Sequence, residues 1–189
     1  VEEGDLETAE KHYEESLRIA RKMEAINEEM GAYRRLASIA LKRGQFAEAR
    51  KLVASASRLV ERIGSKFENA QIEEILGDLE DEQGRHTDAL THYEKAAGQY
   101  TSLSKYRPAV KLLSKIGLIH SDSGNTFEAR QYLDRAQDFV RADIGRELPE
   151  EFNQLQRSLR AQPARTQLDG PDTQKLLMAF YDLSALTDF

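Results

Sequence analysis

Leu76-Gly77-Asp78-Leu79-Glu80-Asp81-Glu82-Gln83-Gly84-Arg85-His86-Thr87-Asp88-Ala89-Leu90-Thr91-His92-Tyr93-Glu94-Lys95-Ala96 is the stretch whose reading decides the fold. Apolar and small residues recur at helical spacing on both sides of Gly84, and glycine can end a helix and reverse the chain without a Cβ penalty. Forty residues later the frame returns as Ile116-Gly117, Gly124, Ala129, Leu133 and Ala136. Forty earlier it stands as Leu36-Ala37, Gly44, Ala49, Val53 and Ala56, and Gly4, Ala9, Tyr13 and Ser16 open a fourth copy. Glycine fills about 7 per cent of positions on average, so three further glycines in register arise by chance at roughly 0.07 cubed.

Each position has a physical purpose. Two antiparallel helices that cross closely need small residues where their axes approach, which suits Gly77 and Gly117 on one helix and Ala89 and Ala129 on the next. The bulky residue nine after each turn glycine fills the space beside that contact. The unit is a helical hairpin of 40 residues.

The pattern resembles the tetratricopeptide repeat, with its leucine-glycine pair, turn glycine, and alanine, aromatic and alanine in the second helix. Leu76-Gly77, Gly84, Ala89, Tyr93 and Ala96 match it without a break. The resemblance implies an all-α, right-handed α-solenoid of antiparallel hairpins with an extra C-terminal helix. Such repeats usually have 34 residues, and six more correspond to about 9 Å of added helix, placed in the helices or in their connections. The family's closing proline is missing; Gly64 marks that region once, and Pro108 falls at a helix start, where it is tolerated.

In order, helices are expected over 5–27, 29–43, 46–63, 67–83, 86–104, 106–122 and 126–143. The first is the second arm of a hairpin whose first arm is missing, so the sequence is expected to be a segment of a longer array. The period stops at Gly145 and Pro149. This divides the chain into an array over 1–145 (an orphan helix plus three hairpins), a capping helix and linker over 146–171, and an apolar helix over 172–189. Leu176, Leu177, Phe180 and Leu183 make that last stretch too apolar for a free surface, so it is expected to dock, on the bare first helix of its own or a second chain or on whatever follows. The run Leu176 to Thr187 also resembles the signalling helix that enters GAF sensor domains in bacterial kinases, cyclases and sigma-54-type activators.

Composition removes other possibilities. The chain of 189 residues has no cysteine, hence no disulfide, thiol nucleophile or zinc-thiolate site. A net charge of −6 argues against general affinity for nucleic acid or anionic membrane. No apolar run approaches the roughly 20 residues of a membrane span. His86 and His92 lie six apart on one helix, on different faces, and with His12 and His120 they read as solvated helix histidines. Glu73-Glu74, Asp78 and Glu80-Asp81-Glu82 read as a solvated acidic face. No cofactor, metal or catalytic constellation is expected, and therefore no enzyme.

Binding remains, because stacked hairpins line a groove with their first helices. In the family the groove residues stand thirteen, ten, six and three before the turn glycine. Carried over, these are Gly31, Arg34, Ser38 and Leu41; then Gln71, Glu74, Asp78 and Asp81; then Lys111, Ser114, Leu118 and Ser121. The family's clamp for a peptide carboxylate is disfavoured, since Glu74 and Asp78 repel an anion. A basic or amphipathic helix from a protein partner suits the surface. The resemblance thus implies a cytoplasmic interaction module of a signalling or transcription regulator, or else a free-standing scaffold or the regulatory part of an enzyme, with homodimerisation through either terminal helix open.

Overall fold

The computed structural model describes residues 3–143 and 148–161. Eight helices lie among them: α1 (Glu3–Lys22), α2 (Ile26–Lys42), α3 (Phe46–Ile63), α4 (Lys66–Asp81), α5 (His86–Ser102), α6 (Tyr106–Asp122), α7 (Thr126–Asp143) and α8 (Glu150–Ala161). No strand occurs among the described residues. The expected helix over 172–189, with Leu176, Leu177, Phe180 and Leu183, and the linker before it lie outside them.

Turns of two to four residues separate α1 to α7, so the six extra residues per repeat are helix. Left-handed backbone recurs every twenty residues, at Glu24, Gly44, Gly64, Gly84, Ser104 and Gly124, with φ between 54° and 79°. Five of these are Schellman caps. At Gly84, for example, the N–H donates to the Asp81 carbonyl at 2.8 Å and Arg85 N–H to the Glu80 carbonyl at 2.9 Å. The same pair of bonds forms at Ser104, to Thr101 (2.9 Å) and Tyr100 (2.8 Å), and at Glu24, to Arg21 (3.3 Å) and Ala20 (2.9 Å). Gly64 makes the simpler cap, a single bond to Val60 at 2.8 Å. At the start of α4, Ser65 accepts from the Glu68 N–H at 3.3 Å, which satisfies one orphan donor.

Two expectations are corrected here. The first helix ends at Lys22 and not at residue 27, because Glu24 adopts the left-handed cap without being glycine. Gly4 is not a turn residue: it lies within α1, where its carbonyl accepts from Thr8 Oγ1 at 2.9 Å.

Two compact units divide the chain, Val1–Leu112 and Leu113–Phe189. Within the first, α2 packs on α3 and α4 on α5, with further packing of α1 on α2 and α3 on α4. The repeated alanines are its seams: Ala37, Ala49, Ala56, Ala89 and Ala96 are completely buried. Around Ala37 and Ala56 gather Met30, Val53, Val60, Ile72 and Ile75. A Cβ added at Gly77 would stand 2.5 Å from Tyr93 Cδ1, so only glycine lets this ring lie flat against α4. One buried charge spans the repeats: Glu80 of α4 accepts from Arg50 of α3 at 2.8 Å and from Arg85. Burial raises its carboxyl, but the hydrogen bonds from Arg85 and Arg50 outweigh it and hold the group below the usual carboxylate range.

In the second unit, α8 packs on α7 and buries Phe152, Leu155 and Leu159. Leu155 and Leu159 gather with Ala129, and Leu118 and Leu133 pack against them. Ser121 and Ser158 share a hydroxyl hydrogen bond at 2.6 Å.

Candidate functional site

The polar positions of α2, α4 and the first turns of α6 come together in the first unit, where most already have partners, several of them from α5. Arg34 of α2 faces Glu68 of α4, with Nε 3.6 Å from Oε2, a distance for charge attraction and not for a hydrogen bond. Ser38 Oγ returns a hydrogen bond to the Arg34 carbonyl at 3.1 Å. Glu74 accepts from Tyr100 Oη of α5 and from Lys111 Nζ of α6, both at 2.9 Å. Asp78 accepts from Tyr93 Oη at 2.7 Å. Asp81 lies 3.0 Å from His86 Nδ1. Gln71 is half-buried, and its Oε1 is buried without a hydrogen-bond partner among the described residues.

Arg34, Glu74, Lys111 and their neighbours thus form an inter-repeat lattice in which each acid of the α4 row meets a donor. Tyr93 and Tyr100 carry the effect furthest. Burial pushes both phenols well above their ordinary value, and the charges and hydrogen bonds of Asp78 and Glu74 push them further.

Two groove positions on α6 are corrected. Ser114 is fully buried and Ser121 nearly so, and neither can meet a partner. Leu118 is half-buried and packs in part against the Leu155 and Leu159 cluster.

The acidic run and two of the histidines also differ from their expectation as solvated groups. Glu73 and Glu80 are buried, because α5 and the turn before it lie over them. His92 Nδ1 lies 2.7 Å from Glu73 Oε2, and Lys95 pairs with the other oxygen. His120 stacks on Tyr132 with centroids 5.4 Å apart and an interplanar angle of 10°. His12 and His86 are exposed, as expected of solvated helix histidines.

Glu68, Tyr93 and Tyr100 are the site residues that sequence reasoning missed. Their signal was a tyrosine where a hydrocarbon would fill the volume, since a buried phenol needs a partner for its hydroxyl. Among the described residues no group of acids and histidines could hold a metal ion, and no helix is long and apolar enough to cross a membrane.

Two family models, each described as Tetratricopeptide repeat, match residues 28–102 and 76–146. The chain belongs to the tetratricopeptide repeat family. Its fold is the all-α solenoid class of that family, built from the antiparallel hairpins described above. It is similar to the crystal structure of BtubC (BKLC) from P. vanneervenii, with a TM-score of 0.71 and 19% sequence identity over 98% of this chain and 72% of that one. No curated protein matches the chain. Tetratricopeptide repeats generally mediate protein–protein interaction and are typically non-catalytic.

Proposed function

We propose that this tetratricopeptide chain is a non-enzymatic module that takes an amphipathic helix of a partner protein on the α2–α4 face, within a cytoplasmic signalling or transcription regulator. The observation that carries the binding mode is the self-neutralised lattice of Arg34, Glu68, Glu74 and Lys111. Because Glu74 already has Lys111 and Tyr100, and Asp78 has Tyr93, a strongly basic ligand would gain little charge there. An amphipathic helix of low net charge suits the face better, with half-buried Gln71 in its polar row. The regulator setting is supported by the likeness of Leu176 to Thr187 to a signalling helix.

Glu74 and Asp78 anchor buried tyrosines, so reversing their charge would mix folding with binding. Gln71→Arg avoids this. Synthetic amphipathic helices of acidic, neutral and basic net charge, titrated by fluorescence anisotropy, should bind best when neutral. Gln71→Arg should weaken that peptide by about tenfold, about 1.4 kcal/mol, at unchanged melting temperature. Equal affinity for wild type and variant, or no binding by any peptide, would remove the proposal.

A further inference from the structure

The turns that join one hairpin to the next carry a surface that the repeat does not need. Phe67, in the first turn of α4, is 36% exposed, and Ile63, across the turn at the end of α3, is 40% exposed. Forty residues before and after Phe67 stand Asn27 and Arg107, both exposed and polar, so packing between repeats asks for no aromatic ring there. The ring is nevertheless fixed in place. It meets buried Tyr100 of α5 edge-on, with centroids 6.0 Å apart and an interplanar angle of 66°, and the Lys105 ammonium stands 5.9 Å from its centroid. Lys105 is held in turn by its N–H, which donates to the Tyr100 carbonyl at 2.8 Å. The α3–α4 and α5–α6 turns are thereby joined into one patch within the first unit.

Single exposed apolar side chains are ordinary on a protein surface, whereas neighbouring ones rimmed by charge mark a docking site. Here the charge has one dominant sign. Arg62, Lys66 and Lys105 are exposed, and none of them makes an ion pair among the described residues. Glu61 is the acid beside them, and Glu68, the next along α4, already faces Arg34. On the α2–α4 face, by contrast, Glu74 and Asp78 each meet a donor.

We propose that this patch docks an acidic segment of a partner protein in which an aromatic or leucine side chain lies between carboxylates. The apolar side chain rests on Phe67 and Ile63. The carboxylates meet Arg62, Lys66 and Lys105, whose guanidinium and ammonium groups give charge-assisted hydrogen bonds. Charge complementarity selects this partner over a basic one, and the apolar pair selects it over a ligand that offers charge alone. An anionic membrane fits less well, because recognition of its surface draws on clusters of about four to eight cations, and this chain carries a net charge of −6. The patch is separate from the α2–α4 face and does not depend on the reading given to it above.

Fluorescence anisotropy of the full 189-residue chain with a labelled peptide that holds a Leu-Phe pair between glutamates tests this. The chain should bind that peptide, and should bind it at least about tenfold more tightly than versions with lysines for the glutamates or serines for the Leu-Phe pair. Lys66→Glu combined with Lys105→Glu, both at exposed positions, should weaken the glutamate peptide by about tenfold and remove most of the salt dependence of its binding. Phe67→Asn, which copies Asn27, should weaken it by about tenfold and leave the salt dependence in place, with helical circular dichroism unchanged in both variants. Gln71→Arg, on the α2–α4 face, should leave this peptide's affinity unchanged, which separates failure here from failure there. No binding of the glutamate peptide, equal binding of the lysine peptide, affinity indifferent to the charge reversal, or loss of binding on Gln71→Arg would each overturn the proposal. So would sedimentation of the chain with phosphatidylserine vesicles in preference to the peptide.

Discussion

The α4–α5 hairpin and the region of α6, α7 and α8 carry the same motif and complete it differently. In the first, Tyr93 lies flat on Gly77, completely buried, and its hydroxyl reaches Asp78 at 2.7 Å. In the second, the equivalent residue is Leu133, which is only half-buried. The space over Gly117 goes instead to Leu155 of α8, whose Cδ2 would stand 2.5 Å from a Cβ added there. A small residue opens a slot in both places. In one the hairpin's own second helix fills it with a rigid ring tied to a carboxylate, and in the other a helix outside the repeat fills it with a flexible hydrocarbon.

The largest expected consequence is alkaline sensitivity confined to the first region. Tyrosines in the unfolded chain ionise near pH 10, whereas buried Tyr93 and Tyr100 keep their protons to a higher pH. The stabilisation is therefore fully present below pH 10 and is lost as pH rises above it, by about 2.7 kcal/mol per pH unit for the two together while both stay protonated in the fold. Leu133 and Val140 occupy the equivalent places in α7 and bring no such dependence. Hydrogen exchange between pH 9 and 11 should show α4–α5 opening first, and Tyr93→Phe with Tyr100→Phe should flatten the slope. Simultaneous opening of both regions would break the contrast.

Alanine at the two glycines sharpens it. Gly77→Ala drives a methyl into a ring held at both ends and should cost about 2 kcal/mol in urea unfolding. Gly117→Ala meets the tip of a leucine that can rotate away, and alanine regains about 1 kcal/mol of helix propensity, so its effect should be close to neutral. Equal costs would show that the filler's rigidity is irrelevant. The smallest effect belongs to the turns. Ser104→Gly should raise stability by about 0.5–1 kcal/mol, because it removes a side chain from left-handed backbone, and Gly124→Ala should lower it by a similar amount. Thermal melts of both variants check this; no gain at Ser104 would mean that the Schellman bonds already offset the strain.

Much of this is legible in the sequence alone. Ala49, Ala89 and Ala129, picked out by the 40-residue spacing, are completely buried, as close helix crossings demand. The turns at Gly44, Gly84 and Gly124 have the positive φ that selects glycine. The turns at Glu24 and Ser104 were hidden, because paired backbone bonds hold a left-handed residue without a glycine to mark it. The polar row of Arg34, Glu74 and Asp78 is visible in the sequence by its spacing, but the partners of Glu74 lie 26 and 37 residues away, and no local spacing announces them.

By itself the sequence determined the period, the hairpin and the places where helices must approach, because small residues and glycines act through steric rules that hold within a turn or two of helix. Only the tertiary structure decided which side chain fills each slot and which donor meets each acid. Those choices depend on groups brought together from distant parts of the chain, where burial makes every polar atom need a partner and leaves a cavity for whichever neighbour can reach it.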